Sequence, residues 1–258
     1  MDMKLMDTVK KIQTTQNNYV VFGRMTNMPF VICNEETFND QVWVFTDQKK
    51  AIEFCEKRKE ERKEILTVAQ IDHKYMAAFY GGLFMIAVNE IVFNDENGST
   101  CVNLEDIVKK PDFSKQPVDN CVMHLTGLYL AQELSRAVPN SEKPQLMDLK
   151  EEMESNLVKT KFLVPVVVKG GEVLPDRSNV GIPFVATKDN RKFRPLFTDI
   201  AEFQKFNKKN EFRINVIEFR KLMPLLGDDM TGIAINPMGM NLMIQKEAVP
   251  MICKRFED

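Results

Sequence analysis

A short stretch that occurs twice decides the fold: VFTD at 44–47 and LFTD at 196–199. Each copy begins with apolar residues that favour a strand and ends with Thr-Asp. Side-chain oxygens of Thr and Asp accept hydrogen bonds from the first amides of a helix. The stretch therefore predicts a strand that runs directly into a helix, capped by Thr46 or Asp47 in the first copy and by Thr198 or Asp199 in the second.

Other short matches surround this stretch in both halves of the chain, in the same order and at nearly constant offsets. The matched pairs are LMD at 5–7 and 146–148, MPFV at 28–31 and IPFV at 182–185, and IAVN at 86–89 and IAIN at 233–236. Repeated motifs in one order are the sequence sign of a duplicated unit. We therefore expect two tandem copies of one domain, at 1–110 and 145–258, joined by a linker at 111–144 that contains a helix.

Within each copy, hydrophobic periodicity predicts alternating helices and strands, among them a strand at Ile214–Ile217 and a helix at Phe219–Leu226 in the second copy. The strand Gly232–Ile235, and its counterpart Phe84–Val88, are apolar at nearly every position, as in a central strand covered on both faces. Asn236 and Asn89 follow these two strands. The pattern predicts an α/β fold, a mixed sheet flanked by helices in each copy, and leaves an α+β arrangement open.

Composition restricts the class of partner. The 258 residues contain 35 Lys and Arg against 37 Asp and Glu, a formal charge of −2. A near-neutral chain lacks the basic excess that strong binding to nucleic acid needs. The first residues show no signal-peptide pattern, and the apolar runs are shorter than the ~18 to 20 residues that span a bilayer. We expect a cytoplasmic protein that binds neither nucleic acid nor membrane.

The cysteines and histidines predict no metal site and no disulfide. The five cysteines include no CxxC pair, and both histidines lie far from them in sequence. Apolar neighbours, as around Cys33 and Cys253, indicate that most of the thiols are buried. His73, on a predicted helix, and His124, in the linker, are interpreted as surface or helix-capping residues.

The ordered set of motifs resembles the N-terminal domain of the SseB family of bacterial proteins. The better match is Phe162–Ile252, with Pro-Phe, Phe-Thr-Asp and Gly-Ile-Ala-Ile-Asn-Pro in order, and Tyr19–Val108 is a more diverged copy in which Glu90 replaces the last proline. The resemblance implies an α/β domain whose biochemical role is poorly defined. It supplies no active site that could be carried onto numbered residues here.

Known catalytic motifs and cofactor fingerprints are absent from the sequence. No catalytic residue and no cofactor is therefore predicted, and whether the protein is an enzyme stays open. The first hypothesis is a non-catalytic module that binds another protein or a peptide; the sequence does not fix its oligomeric state. The alternative is an enzyme or small-molecule-binding domain with a site at the Phe-Thr-Asp helix starts and the asparagines, which could include Cys33. Its candidate ligand-binding residues are Thr46, Asp47, Asn89, Thr198, Asp199 and Asn236.

Overall fold

The computed structural model describes residues 3–168 and 180–257. The chain divides into two compact units, of which unit 1 is Met1–Asp112 with Leu128–Leu146 and unit 2 is Phe113–Gly127 with Met147–Asp258. The segment predicted as a linker, 111–144, is thus shared between the two units. Its predicted helix is α5, which is introduced with unit 2.

Unit 1 alternates helices and strands as the periodicity predicts. Its elements are α1 (Met3–Thr14), β1 (Asn17–Gly23), β2 (Val31–Cys33), β3 (Asp40–Phe45), α2 (Gln48–Arg62), β4 (Leu66–Asp72), α3 (His73–Leu83), β5 (Glu90–Asp95), β6 (Gly98–Asn103) and α4 (Leu104–Ile107).

One mixed sheet organises unit 1. Its strands run in the order β4-β1-β3-β5-β6, and β2 also pairs with β3. The pair β3 and β5 is parallel, whereas β1 pairs with β3 and β4 in the antiparallel direction. Helix α2 lies between β3 and β4 in sequence and buries Ala51 in an apolar cluster with Val21, Phe30 and Phe45. The predicted α/β class with a mixed sheet is confirmed.

The predicted strand Phe84–Val88 is wrong. Helix α3 continues through Gly81 and Gly82 to Leu83, a single 3-10 turn covers Phe84–Ile86, and the central strand is β5 at Glu90–Asp95. Residues 84, 86 and 88 are buried, which explains the apolar run. A short apolar run does not distinguish a buried strand from a buried helix end, and here the helix takes it.

Unit 2 contains a similar series of elements. They are α5 (Cys121–Ser135), of which residues 121–127 belong to this unit, α6 (Leu146–Leu157), β7 (Lys161–Val168), β8 (Val180–Gly181), β9 (Val185–Ala186), β10 (Lys192–Leu196), α7 (Ile200–Phe206), β11 (Arg213–Glu218), β12 (Gly232–Ile235), β13 (Leu242–Gln245) and α8 (Ala248–Arg255).

Two sets of strands form the sheet structure of unit 2, β13-β12-β10-β9 and β11-β7-β8. Leu163 and Phe197 join them, because each backbone amide donates to the other residue's carbonyl oxygen, at 2.9 and 3.0 Å. This bridge places β7 beside the end of β10. The resulting order, β11-β7-β10-β12-β13 with β9 on β10, has the same pattern of connections as unit 1.

The predicted helix Phe219–Leu226 is replaced by two 3-10 turns, Phe219–Lys221 and Met223–Leu225. Pro224 explains the difference, because proline has no amide hydrogen to donate to an α-helix and its ring obstructs the preceding turn.

The core of unit 2 packs helix α7 against the sheet. Val118, Leu163, Phe197 and Phe203 form a buried apolar cluster. Phe197 is fully buried, and burial of a side chain of this size stabilises a fold by about 1.5–3 kcal/mol. Phe197 thereby fixes the residues that follow it, Thr198 and Asp199. Among the described residues, no helix is long and apolar enough to cross a membrane.

Candidate functional site: a buried polar cluster in unit 2

The parallel strands β10 and β12 end side by side, and this brings three of the predicted site residues together. Leu196 lies opposite Ile235. Just beyond these strand ends, the amide of Thr198 donates to Asn236 Oδ1 at 3.0 Å, and Asn236 Nδ2 donates to Thr198 Oγ1 at 2.8 Å. Asn236 has a φ of 47°, in the left-handed region that asparagine tolerates better than most residues.

Asp199 is the cap of helix α7, as its sequence context predicts. Its Oδ1 accepts a hydrogen bond from the amide of Glu202 at 2.9 Å, and its backbone is extended. Its other oxygen, Oδ2, accepts from the Thr198 hydroxyl at 2.8 Å. The carboxylate is therefore used on both sides, once by the helix and once by the neighbouring hydroxyl.

His124, from the first half of α5, completes the cluster. Its Nδ1 lies 3.1 Å from Thr198 Oγ1 and 3.2 Å from Asp199 Oδ2, and its Nε2 lies 3.3 Å from Asn236 Nδ2. Asn236 Nδ2 is a donor, so Nε2 must accept and Nδ1 must carry the proton. The network assigns the tautomer with its proton on Nδ1, directed at the Asp199 carboxylate.

Asn120, one helical turn before His124, anchors the start of α5 to the same strand ends. Its Nδ2 donates to the carbonyl oxygens of Lys161 and Thr198, both at 2.8 Å. Side chains at i and i+4 share one helix face, which explains how one turn of α5 reaches both the backbone and the side chain of Thr198.

We call this group the His124 cluster; its members are His124, Thr198, Asp199 and Asn236. All four are buried, and none is more than 4% exposed. Burial alone would raise the pKa of Asp199, but the hydrogen bonds that its carboxylate accepts from His124, Glu202 and Thr198 outweigh it. The pKa of Asp199 therefore lies below its usual value. Each side-chain polar atom of the cluster has a partner within it or on the adjoining backbone.

The geometry differs from that of a hydroxyl nucleophile activated by histidine. A catalytic triad uses one ring nitrogen for the hydroxyl and the other for the carboxylate. In this cluster, Thr198 Oγ1 and Asp199 Oδ2 lie at the same nitrogen, Nδ1, and the hydroxyl donates to the carboxylate itself. The arrangement is suited to holding helix α5 on the strand ends, and it leaves Thr198 without an accessible lone pair for attack.

Unit 1 places its three candidate residues differently. Asp47 caps α2, accepting from the amide of Lys49 at 2.7 Å, and it is exposed. Thr46 Oγ1 makes one long hydrogen bond of 3.4 Å, to the carbonyl oxygen of Asn94. Asn89 precedes β5 and bonds to the amide of Asp40, at the opposite end of β3. The expectation that Asn89 corresponds to Asn236 is therefore wrong.

Asn94 takes the place that was assigned to Asn89. It lies opposite Phe45 on the parallel neighbour strand and is buried. Its Nδ2 donates to the carbonyl of Val92 at 3.0 Å, and its Oδ1 accepts from Ser99. The error follows from the misplaced central strand, because that strand ends beside Asn94 and not at residue 88.

The expectations for the histidines and cysteines are corrected in part. His124 is buried and bonded, so its interpretation as a surface or capping residue is wrong, whereas His73 is half-buried and bonds through Nδ1 to the carbonyl of Thr15. Cys33 and Cys101 are exposed, and Cys55, Cys121 and Cys253 are half-buried, so the prediction of mostly buried thiols is also wrong. Over the described ranges, no group of three or more His, Cys, Asp or Glu side chains could hold a metal ion.

Comparison with known proteins connects unit 2 to one family. Residues 147–250 match the family model of the SseB protein N-terminal domain. The resemblance found in the motifs is confirmed for this segment. It contains Thr198, Asp199 and Asn236, whereas His124 lies outside it.

Two solved structures are similar to the chain at low identity. Tic22 from Anabaena, described as a protein of protein transport, is 10% identical over 88% of this chain and 91% of its own, with a TM-score of 0.23. Tic22 from Plasmodium falciparum is 12% identical over 88% and 90%, with a TM-score of 0.22. These scores are too low to support an argument. No curated protein matches the sequence.

Proposed function

We propose that this protein is a non-catalytic, cytoplasmic module that binds another protein or a peptide, built from two copies of one domain, with unit 1 the more diverged. The shared pattern of strand connections in the two units supports the duplication.

The observation that carries the binding role is the exposed edge of the unit 2 sheet. Residues 213–216 of β11 are all exposed, and they include Ile214 and Val216, which are 37% and 40% exposed. An edge strand presents backbone groups ready to pair with another chain. Strand pairing at such an edge is a recurrent mode of protein and peptide recognition.

The alternative, a ligand or enzyme site at the Phe-Thr-Asp helix starts, is weakened by the His124 cluster. Its polar atoms already bond to one another, and a ligand would have to break these bonds inside a region closed to water. In unit 1 the equivalent positions lack a histidine, and Asn89 lies at the other end of the strand.

The experiment uses two variants of the full chain as baits in a cell lysate. Each protein that a bait retains is then purified, and its binding to the chain is measured directly by calorimetry. The variants are Val216→Glu, at the exposed edge, and Thr198→Val, in the buried cluster. The proposal expects partner binding to be lost with Val216→Glu and kept with Thr198→Val. A small-molecule site at the cluster would give the opposite result, with a ligand-dependent rise in melting temperature that Thr198→Val abolishes.

A further inference from the structure

The edge strand β11 has one paired side and one free side. It pairs antiparallel with β7 from Arg213 opposite Val166 to Glu218 opposite Lys161. Among the described strands, none pairs with its other side. The register between β11 and β7 decides which backbone groups of β11 point to that free side.

The backbone of Ile214 and Val216 points outward. In an antiparallel pair, opposed residues alternate between hydrogen-bonded and non-bonded pairs. Ile214 lies opposite Pro165, which has no amide hydrogen to donate. Val216 lies opposite Leu163, whose amide and carbonyl both bond to Phe197 on its other side.

The bonded pairs are therefore the odd-numbered residues of β11. Phe219 continues this alternation, since its amide donates to the carbonyl of Thr160 at 3.0 Å. Arg213, Asn215 and Ile217 direct their backbone groups to β7. The amides and carbonyls of Ile214 and Val216 are left on the free edge, at the two exposed apolar residues.

Side chains on β11 alternate between the two faces of the strand. Ile214 and Val216 project on one face of the strand, and Arg213 and Asn215 project on the other. All four are exposed. A strand added to this edge would meet apolar surface on one face and a cation on the other.

The chain segment that contains β11 is basic. Residues 202–221 contain six basic and three acidic side chains, a net charge of +3, while the whole chain carries −2. Within this segment Lys205 pairs with Glu202 and Lys221 pairs with Glu218. The basic residues are Lys205, Lys208, Lys209, Arg213, Arg220 and Lys221. Such a local excess attracts an acidic partner and repels a second copy of the same surface.

We propose that β11 binds an extended acidic segment of a partner protein, which adds to the sheet as a further strand. This inference rests on the proposed function and assigns its surface and the chemistry of its partner. The bound segment alternates apolar residues, opposite Ile214 and Val216, with Asp or Glu, opposite Arg213 and Asn215. Its backbone pairs with the outward groups of Ile214 and Val216.

The test measures fluorescence anisotropy of three labelled peptides with the full chain. The first peptide alternates Glu and Val. The second has the same sequence with the backbone nitrogens of its valines methylated, and the third alternates Lys and Val. We expect saturable binding of the Glu-Val peptide that weakens as salt increases. The methylated and Lys-Val peptides should bind roughly tenfold more weakly or worse, since each tenfold step equals loss of about 1.4 kcal/mol.

Two pairs of variants locate the surface. Val216→Pro removes the outward amide without removing a bond to β7, and Val216→Thr keeps that amide as its control. Arg213→Glu reverses the charge on β11, and Lys254→Glu makes the same change at an exposed position of α8. We expect at least about tenfold weaker binding for the first member of each pair and less than about twofold change for its control.

The proposal is overturned if the methylated peptide binds as tightly as its parent, because strand pairing needs those amides. This result is independent of whether a variant folds. Failure of the Glu-Val peptide to bind, or a concentration-dependent dimer that Val216→Pro dissociates, would also overturn it. A purified partner that binds Val216→Pro as it binds the unchanged chain would exclude this surface and leave the protein-binding function standing.

Discussion

Thr198 and Asn236 hold each other through two reciprocal hydrogen bonds, from the Thr198 amide to Asn236 Oδ1 at 3.0 Å and from Asn236 Nδ2 to Thr198 Oγ1 at 2.8 Å. Asn236 directly follows β12 and Thr198 lies two residues after the end of β10, so the pair fastens the ends of these parallel strands together. His124 and Asp199 bond to the same hydroxyl. The polar residues of the repeated motif are thus used to join a helix to the sheet of unit 2.

The hydroxyl of Thr198 should contribute to stability. Thr198→Val preserves the shape of the side chain but leaves one Asn236 Nδ2 hydrogen without its acceptor and removes a donor from Asp199 Oδ2. Such a loss at a buried group costs about 1–3 kcal/mol. Thr46→Val is the matched control in unit 1, because Thr46 makes one 3.4 Å bond and is half-buried. We expect a change below about 0.5 kcal/mol there. Chemical denaturation measures both; equal effects would contradict the structural role of the cluster.

The helix cap Asp199 in unit 2 should contribute more to stability than the helix cap Asp47 in unit 1. Asp47→Ala removes an exposed cap, which costs about 0.5–2 kcal/mol. Asp199→Ala removes a cap and also leaves the Nδ1 proton of buried His124 without its carboxylate, so we expect about 2–4 kcal/mol. Unfolding monitored by circular dichroism gives both values. An Asp199→Ala variant as stable as Asp47→Ala would show that the histidine contact contributes nothing.

The lowered pKa of Asp199 predicts acid sensitivity. An acid whose pKa is lower in the folded state stabilises the fold above its unfolded pKa, about 3.9 for Asp. That stability is lost as the pH falls through the folded pKa. The difference in unfolding free energy between the unchanged chain and Asp199→Asn should therefore be constant near neutral pH and shrink below about pH 4. A difference that does not change with pH would refute this.

Thiol labelling should separate the five cysteines by exposure and acidity. Burial raises the pKa of Cys55 to about 11, and burial with the bond and charge of Asp119 raises that of Cys121 to about 12. Since the thiolate is the reactive form, both should react slowly near pH 8. Exposed Cys33 should react fastest. Mass spectrometry after brief alkylation tests the order, and Cys33→Ser should remove the first labelled species.

Local sequence was sufficient where the deciding contacts are local. The Phe-Thr-Asp stretch predicted both strand-to-helix junctions because a cap bonds to an amide two or three residues away. The apolar run at 84–88 was ambiguous between a helix end and a strand, and this error displaced the counterpart of Asn236 from Asn94 to Asn89.

The remaining features depend on contacts distant in sequence. His124 meets Thr198, 74 residues away, and no local pattern distinguishes this histidine from a surface one. Periodicity predicted β11 as a strand over Ile214–Ile217 but could not show that it lies at an edge. That property depends on which strands pair, and its outward amides follow from Pro165 and Leu163 on the neighbouring strand.

Amide hydrogen exchange of β11, with and without the Glu-Val peptide, tests the central claim most directly. In the free protein, the amides of Asn215 and Ile217 should be protected by β7, while those of Ile214 and Val216 exchange rapidly. Addition of the peptide should protect Ile214 and Val216 specifically. Rapid exchange at these two amides in the peptide-saturated protein, with new protection only around Thr198 and Asn236, would contradict the account.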